Sequence, residues 1–318
     1  MIFGESRLKD LYRRVVWGMG PGLSRRLPPV WEMWAADGGG RLAAAGLSKK
    51  RQGLESNLQR AFPERSATEL RDVAMDAFSA HFANQYLSFA FPKCTIDTWP
   101  QYIEMEGLDR LQKASELGKG VVLMHPHMGP AQLPLHVLGL LGWPMHQVGG
   151  GQVTLVELSE TGQWAADRRS ALERVMPVTL HDGKAYMRPL LRALENGGVV
   201  MSACDATGGG HEIGRRLVRT VLGQAMPLPV GPVWMALRSG APLLTVHCVR
   251  RNGGGARYCA VIGDEVELPR EKPLKDVLDA GADAIAAYLN RVLAQHPGDW
   301  LFWDGFEPGG LLVEDGGL

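Results

Sequence analysis

Apolar positions along this chain follow two different periods, and the change between them falls near residue 116. Before it the spacing is helical. Leu8, Leu11, Tyr12, Val15, Val16 and Met19 recur three and four apart, with Arg7, Lys9, Arg13 and Arg14 elsewhere on the turn, which predicts an amphipathic helix. Gly20-Pro21-Gly22 is expected to stop it, and RRLPPVWEMW (25–34) follows. The basic helix with Trp31 and Trp34 behind it suits a membrane interface, and equally an apolar stripe docked on the rest of the protein. Further on, Ser66-Ala67-Thr68-Glu69 is a capping box. The helix it opens is predicted to run to Phe91, where Pro92 ends it, with His81 as a packed or surface histidine inside it.

After residue 116, short apolar runs alternate with helical segments. VVLMH (121–125), VMPVTLH (175–181), GVVMSACD (198–205), PLLTVHCV (242–249) and YCAVIG (258–263) read as buried strands. AYMRPLLRALENGG (185–198) reads as a helix with a glycine stop. The expected fold class is therefore α/β: a central mixed, largely parallel sheet flanked by helices, with an N-terminal helical extension. Residues 1–45 form the amphipathic, candidate membrane-contacting segment and 46–318 the α/β part. Within the latter, 46–115 is a helical lead-in and 116–318 the sheet-containing core.

Composition narrows the partners more than the fold. Lys plus Arg and Asp plus Glu number 34 each, so no global field favours nucleic acid. The four cysteines, Cys94, Cys204, Cys248 and Cys259, lack CxxC spacing, which argues against a zinc site or a disulfide framework and fits a reducing cytosolic compartment. No apolar run approaches the length of a membrane span, and the N-terminus lacks a signal-peptide core.

The chemistry collects at strand ends, where open α/β sheets place their sites. His125, His127, His181 and Asp205 all fall there. On a strand end His127 can be held rigidly and take a proton from a hydroxyl or amine attacking an activated carbonyl. The same HxH spacing puts His125 and His127 on one face of an extended chain, where both could bind one metal ion, as amidohydrolase-type enzymes begin. His181, His247 and Asp205 would complete that ligand set. Leu133, Leu135, Leu138 and Leu140, with Trp143 and Trp164, are candidates for lining an apolar pocket or tunnel, although such stripes are more often ordinary core.

GKGVVLMHPHMGPAQL (118–133), followed by ALENGGVVMSACD (193–205) and GQAMPLPVGPVWMALRSGAPLL (223–244), resembles the bacterial lysophospholipid/lipid A acyltransferases. That family carries a strand before an HxxxxD/E motif, then a strand ending in Asp, then an aromatic-aromatic-Gly turn. The resemblance extends from NLQRAFPE (57–64) to HPGDWLFW (296–303), over about residues 50–306, with the motifs in order. It implies transfer of a fatty acyl group from acyl-carrier protein or coenzyme A to a hydroxyl of a membrane-linked acceptor. It also implies a cytoplasmic-face protein with a membrane-contacting N-terminal helix. No cofactor or metal is expected beyond the acyl thioester, which is a co-substrate.

Position by position, the resemblance makes His127 the catalytic histidine, Gly129 the motif glycine, and Asp205 the acidic strand end. Gln132 occupies the place of the motif acid, so an amide stands where a charge is usual. His125 is expected to support the motif. The oxyanion of the tetrahedral intermediate is expected to meet backbone N–H groups near Gly129. Arg188 falls where several members carry a basic residue facing the acceptor. Arg215, Arg216 and Arg219 lie in the acceptor-side stretch HEIGRRLVR (211–219). Val221-Leu222-Gly223 takes the place of the aromatic-aromatic-Gly turn, which puts Gly223 with the acceptor. WDGFEP (303–308) replaces the His-Arg-Arg that often closes the family, which weakens the case for a phosphorylated sugar acceptor. Two other readings stand beside an acyltransferase on these residues: the metal-dependent hydrolase, and a non-catalytic acyl- or lipid-binding relative that has lost the motif acid.

Overall fold

The computed structural model describes residues 7–148, 158–181, 187–205, 214–251 and 256–314. Four helices come first: α1 (Arg7–Ser24), α2 (Pro29–Gly46), α3 (Ser48–Ala61) and α4 (Ala67–Tyr86). The sheet region then runs β1 (Ile103–Glu106), α5 (Leu108–Ser115), β2 (Val121–His125), α6 (Gln132–Leu140), β3 (Met145–Val148), α7 (Glu160–Glu173), β4 (Thr179–His181), α8 (Met187–Glu195) and β5 (Val199–Ala203). It continues with β6 (Arg216–Val221), β7 (Gln224–Pro229), α9 (Gly231–Ser239), β8 (Leu243–Arg250), β9 (Tyr258–Glu265) and α10 (Leu274–Gln295). Seven strands form the main sheet in the order β1-β9-β8-β2-β5-β3-β4. All its pairings are parallel except β8 with β9. The expected mixed, largely parallel sheet flanked by helices is what the structure shows.

The two central strands explain why their sequences are apolar throughout. Val122, Met124, Val200 and Cys204 enter the core under α4, α8, α9 and α10, whereas Val121, Leu123, Val199 and Met201 enter the opposite one with Leu135 and Leu138. With both faces covered, alternation disappears. Leu135 and Leu138 lie in that core, Leu133 in a third cluster with Met33 and Phe91, and Trp164 at a fourth with Trp17. The candidate tunnel residues are therefore divided among separate core clusters.

The N-terminal helices differ from expectation in two ways. Gly20-Pro21-Gly22 does not stop α1, which continues to Ser24 with Pro21 inside it. Proline forfeits one hydrogen bond but its φ is helix-compatible. Gly20 meanwhile lets α1 press on Phe89: a Cβ there would stand 2.5 Å from the ring. The capping-box helix ends as α-helix at Tyr86 and tightens into a 3₁₀ turn over Leu87–Ala90. α2 and α4 cross at backbone contact, since a Cβ on Gly40 would meet the Ser79 Cα at 2.4 Å.

The apolar stripe of α1 is divided. Trp17 turns inward, edge-on to Phe89 at 4.9 Å, while Asp10 accepts a hydrogen bond from the Ser159 hydroxyl at the start of α7. Leu11, Val15, Met19 and Leu23 stay exposed, as do Trp31 (69%), Trp34 and Leu42 on α2. Among the described residues no helix is long and apolar enough to cross a membrane. All four cysteines are free and buried, and burial pushes the Cys94 and Cys259 thiols up to about 12.

Candidate active site

Register places the site. β2 and β5 are parallel neighbours with His125 opposite Ala203, and the Cys204 N–H donates to the His125 carbonyl at 2.9 Å. Two residues beyond each strand end stand His127 and Asp205. The His127 imidazole reaches Asp205 with Nδ1 2.8 Å from Oδ1, and its backbone N–H donates to Oδ2 at 2.7 Å. A third donor comes from far along the chain: Trp300 Nε1–H reaches Asp205 Oδ2 at 2.8 Å.

Asp205 is fully buried, yet its carboxyl is held below the usual range. Burial alone would raise it, but the His127 charge, the His127 hydrogen bonds and the Trp300 N–H outweigh that effect. An ionised carboxylate only accepts, so the proton of this contact sits on His127 Nδ1, and in the neutral imidazole Nε2 then carries the lone pair. The His127 side chain is 23% exposed and Asp205 is sealed behind it. Such an imidazole can take a proton from an incoming group, and the carboxylate stabilises the imidazolium formed.

The segment 297–303 builds the wall of the site. The Gly129 N–H donates to Asp299 O at 2.7 Å and the Leu301 N–H to His127 O at 2.9 Å, a short antiparallel bridge centred on Met128 and Trp300. The Phe302 ring lies against the His127 ring with centroids 4.6 Å apart. Trp300, Phe302 and Asp299 were not singled out individually from the sequence. Their signal was the tryptophan-rich HPGDWLFW, but its role needs a chain 95 residues past Asp205 to fold back.

Several expected residues take other places. Backbone N–H groups near Gly129 were expected to meet the oxyanion, and the N–H of Gly129 itself is committed to the Asp299 carbonyl. This glycine serves the backbone instead: its φ is +54, and a Cβ would stand 3.0 Å from the Cys248 carbonyl. Gln132 opens α6 half-buried, and no hydrogen bond joins it to His127 among the described residues. His125 ends β2 buried, with Nδ1 3.2 Å from Pro126 O and no hydrogen-bond partner for Nε2 among the described residues. Burial, and then the His127 charge, lower it to about 4, so it stays neutral at pH 7.

Arg188 is exposed in the first turn of α8. Arg215 is exposed before the β6–β7 hairpin and Arg216 is half-buried at its start. Arg219 is an anchor, paired with Asp279 at 2.7 Å and with Asp283 on α10. Leu222 (φ 48) and Gly223 (φ 76) form the two-residue hairpin turn, whose Leu222 N–H donates to the Asn290 side chain at 2.6 Å. No hydrogen bond or ring contact joins Arg188, Arg215 or Gly223 to His127 or Asp205 among the described residues. Nor does the proposed metal set converge. His181 contacts His146, with His146 Nδ1 and His181 Nε2 3.0 Å apart, and His247 contacts the Tyr288 hydroxyl. Among the described residues, no three His, Cys, Asp or Glu are grouped to hold an ion.

A family model described as bacterial lipid A biosynthesis acyltransferase matches residues 18–304. The chain belongs to this acyltransferase family. The resemblance read from the ordered motifs is thereby borne out, and the match reaches upstream into α1. Among curated proteins, this acyltransferase is similar to the phosphatidylinositol mannoside acyltransferase of Mycolicibacterium smegmatis (strain ATCC 700084 / mc(2)155). The two are 23% identical over 283 residues, which cover 87% of this chain and 86% of the relative. Among solved structures, the 1-acyl-sn-glycerophosphate acyltransferase PlsC from Thermotoga maritima matches at 13% identity and a TM-score of 0.35. That match covers 75% of this chain and 88% of PlsC.

Proposed function

We propose that this acyltransferase moves a fatty acyl group from an acyl-carrier-protein or coenzyme A thioester to a hydroxyl of a lipid-linked acceptor, with His127 as general base. The observation that carries the reading is the His127 Nδ1 to Asp205 Oδ1 contact of 2.8 Å, with Asp205 buried and ionised. It supplies the charge that Gln132 cannot. Nε2 accepts the proton of the acceptor hydroxyl as its oxygen attacks the thioester carbonyl. The tetrahedral intermediate then collapses, the carbon–sulfur bond breaks, and the imidazolium returns the proton to the leaving thiolate. An amine acceptor fits the same geometry and needs less help from the base. The name of the mycobacterial relative supports a lipid acceptor.

The exposed faces of α1 and α2 support work at the inner face of the cytoplasmic membrane. Met19, Trp31, Trp34 and Leu42 offer apolar and amphipathic side chains, and Arg25 and Arg26 are exposed in the turn between the helices.

The test uses purified protein, radiolabelled palmitoyl-coenzyme A and total lipid extract from the host. Wild type is expected to form a labelled lipid and His127→Ala to form none above background. Near-normal turnover by His127→Ala would remove the mechanism. Wild type should co-sediment with vesicles containing phosphatidylglycerol, and Trp31→Ala/Trp34→Ala should stay in the supernatant.

A further inference from the structure

One guanidinium joins the exposed N-terminal helices to the active-site wall. Arg250 is the last residue of β8, with only 9% of its side chain exposed. Its Nε donates to Asp299 Oδ1 at 2.7 Å and its backbone N–H to Asp299 Oδ2 at 3.2 Å. Nη2 donates to the Gly298 carbonyl at 2.6 Å and to the Asp76 carbonyl of α4 at 2.8 Å. Nη1 faces two more carboxylates, Asp76 at 3.5 Å and Asp37 of α2 at 3.8 Å.

Each end of this arrangement is fixed to something functional. Asp37 is buried in the same helix that exposes Trp31 and Trp34, and it also holds Arg257 and the Ser79 hydroxyl. Asp299 presents its carbonyl to Gly129, and the next residue is Trp300, which donates to Asp205. Close packing removes slack: a Cβ on Gly298 would stand 2.6 Å from the Asp76 Cβ, and Gly40 seats α2 directly on α4. Contacts therefore run without a break from α2 through α4 and Arg250 to Gly298 and Asp299. Lysine cannot replace this geometry, because the planar fork donates to three separate acceptors at once while facing two further carboxylates.

We infer that Arg250 is a positioning residue that couples the membrane-facing helix α2 to the grip of Trp300 on the His127–Asp205 pair. The membrane half of this inference rests on the function proposed above; the link from Arg250 to the catalytic pair does not.

The test compares wild type, Arg250→Lys and Arg250→Met as full-length proteins, with and without phosphatidylglycerol vesicles. Amide hydrogen exchange by mass spectrometry reads three peptides, the two bridge partners spanning 127–129 and 299–301 and a reference in α10. Both variants are expected to exchange at least tenfold faster at the Gly129 and Leu301 amides, with α10 unchanged. A parallel rise in α10 would mean general loosening and would overturn the proposal, as would wild-type exchange at the bridge. Diethyl pyrocarbonate modification of His127 is the second measure. Vesicles should change its rate at least threefold in wild type and less than 1.5-fold in either variant. If wild type fails to bind vesicles, the membrane reading fails while the bridge measurement still decides the Arg250 link. If wild type binds and His127 does not respond, the coupling is overturned. In the palmitoyl-transfer assay, kcat should fall at least tenfold in Arg250→Met with KM for palmitoyl-coenzyme A within twofold, and Arg250→Lys should be intermediate. A loss confined to KM would overturn the positioning role.

Discussion

Two histidine contacts in this sheet, one just past the end of β2 and one between the second residue of β3 and the last of β4, pair the imidazole with different partners. His127 reaches Asp205 at 2.8 Å, and His146 reaches His181 at 3.0 Å. The first partner is an anion held ionised in a dry pocket. The second is another imidazole, and burial lowers both rings of that pair. A carboxylate accepts the Nδ1–H of its histidine whether that ring is neutral or charged, whereas two neutral imidazoles lose their shared hydrogen bond when both take protons. Similar distances therefore describe a carboxylate-bound imidazole in one place and an imidazole–imidazole tie in the other. Chemistry at a strand end depends on what the neighbouring strand offers across the register.

The sharpest way to break the contrast is to remove the charge. Asp205→Asn should lower kcat in the palmitoyl-transfer assay by about 10⁴-fold, the scale at which an amide replaces the carboxylate of a catalytic triad. A loss under tenfold would make the two histidine contacts equivalent. Trp300→Phe keeps an aromatic ring, smaller than the indole, but removes one donor to Asp205, a hydrogen bond to a charged group of about 1.5–3 kcal/mol, so kcat should fall roughly 10- to 100-fold. Gln132 makes no hydrogen bond with His127, and Gln132→Ala should stay within about threefold of wild type; a hundredfold loss would return the missing acid to the centre of the mechanism. His146→Ala is the smallest expected change, within about twofold in kcat.

Acid stability sharpens the same contrast through a third histidine. His125 sits at about 4 in the folded protein against an ordinary 6.5, because of burial and the neighbouring His127 charge. Between those values the unfolded chain holds a proton there that the folded chain does not, so stability falls as pH drops. From pH 7 to pH 5 the loss from this residue is about 2 kcal/mol, and His247, also lowered to about 4, adds in the same direction. Urea unfolding at the two pH values should show a smaller difference in His125→Asn than in wild type. Asp205 contributes with the same proton balance in a lower pH window: its stabilisation is present above its unfolded value and disappears as pH falls through the lower folded one.

What the sequence revealed followed burial. β2, β5, β8 and β9 were legible because covering both faces makes a strand apolar along its length. β1 (Ile-Glu-Met-Glu) and β3 (Met-His-Gln-Val) were missed, being four residues long and half polar. The β6–β7 hairpin was hidden by Pro227 and Pro229, which a strand without a neighbour on its outer edge tolerates. VMPVTLH supplied only three strand residues, Thr179–His181. At the site, His127 and Asp205 were legible because each lies two residues past a strong strand. Trp300, Asp299 and Arg250 were not, because their roles arise from contacts between segments 49 to 174 residues apart.

The buried thiols have a practical consequence for these questions. Cys94, Cys204, Cys248 and Cys259 are all shielded from solvent and held protonated by burial, so the native surface should be unreactive to maleimides and methanethiosulfonates. One cysteine introduced at the exposed Leu42 would then carry a nitroxide at a single defined address without any background substitutions. Power saturation against oxygen and a nickel chelate would convert that address into an immersion depth, turning the chain into a ruler for its own helix.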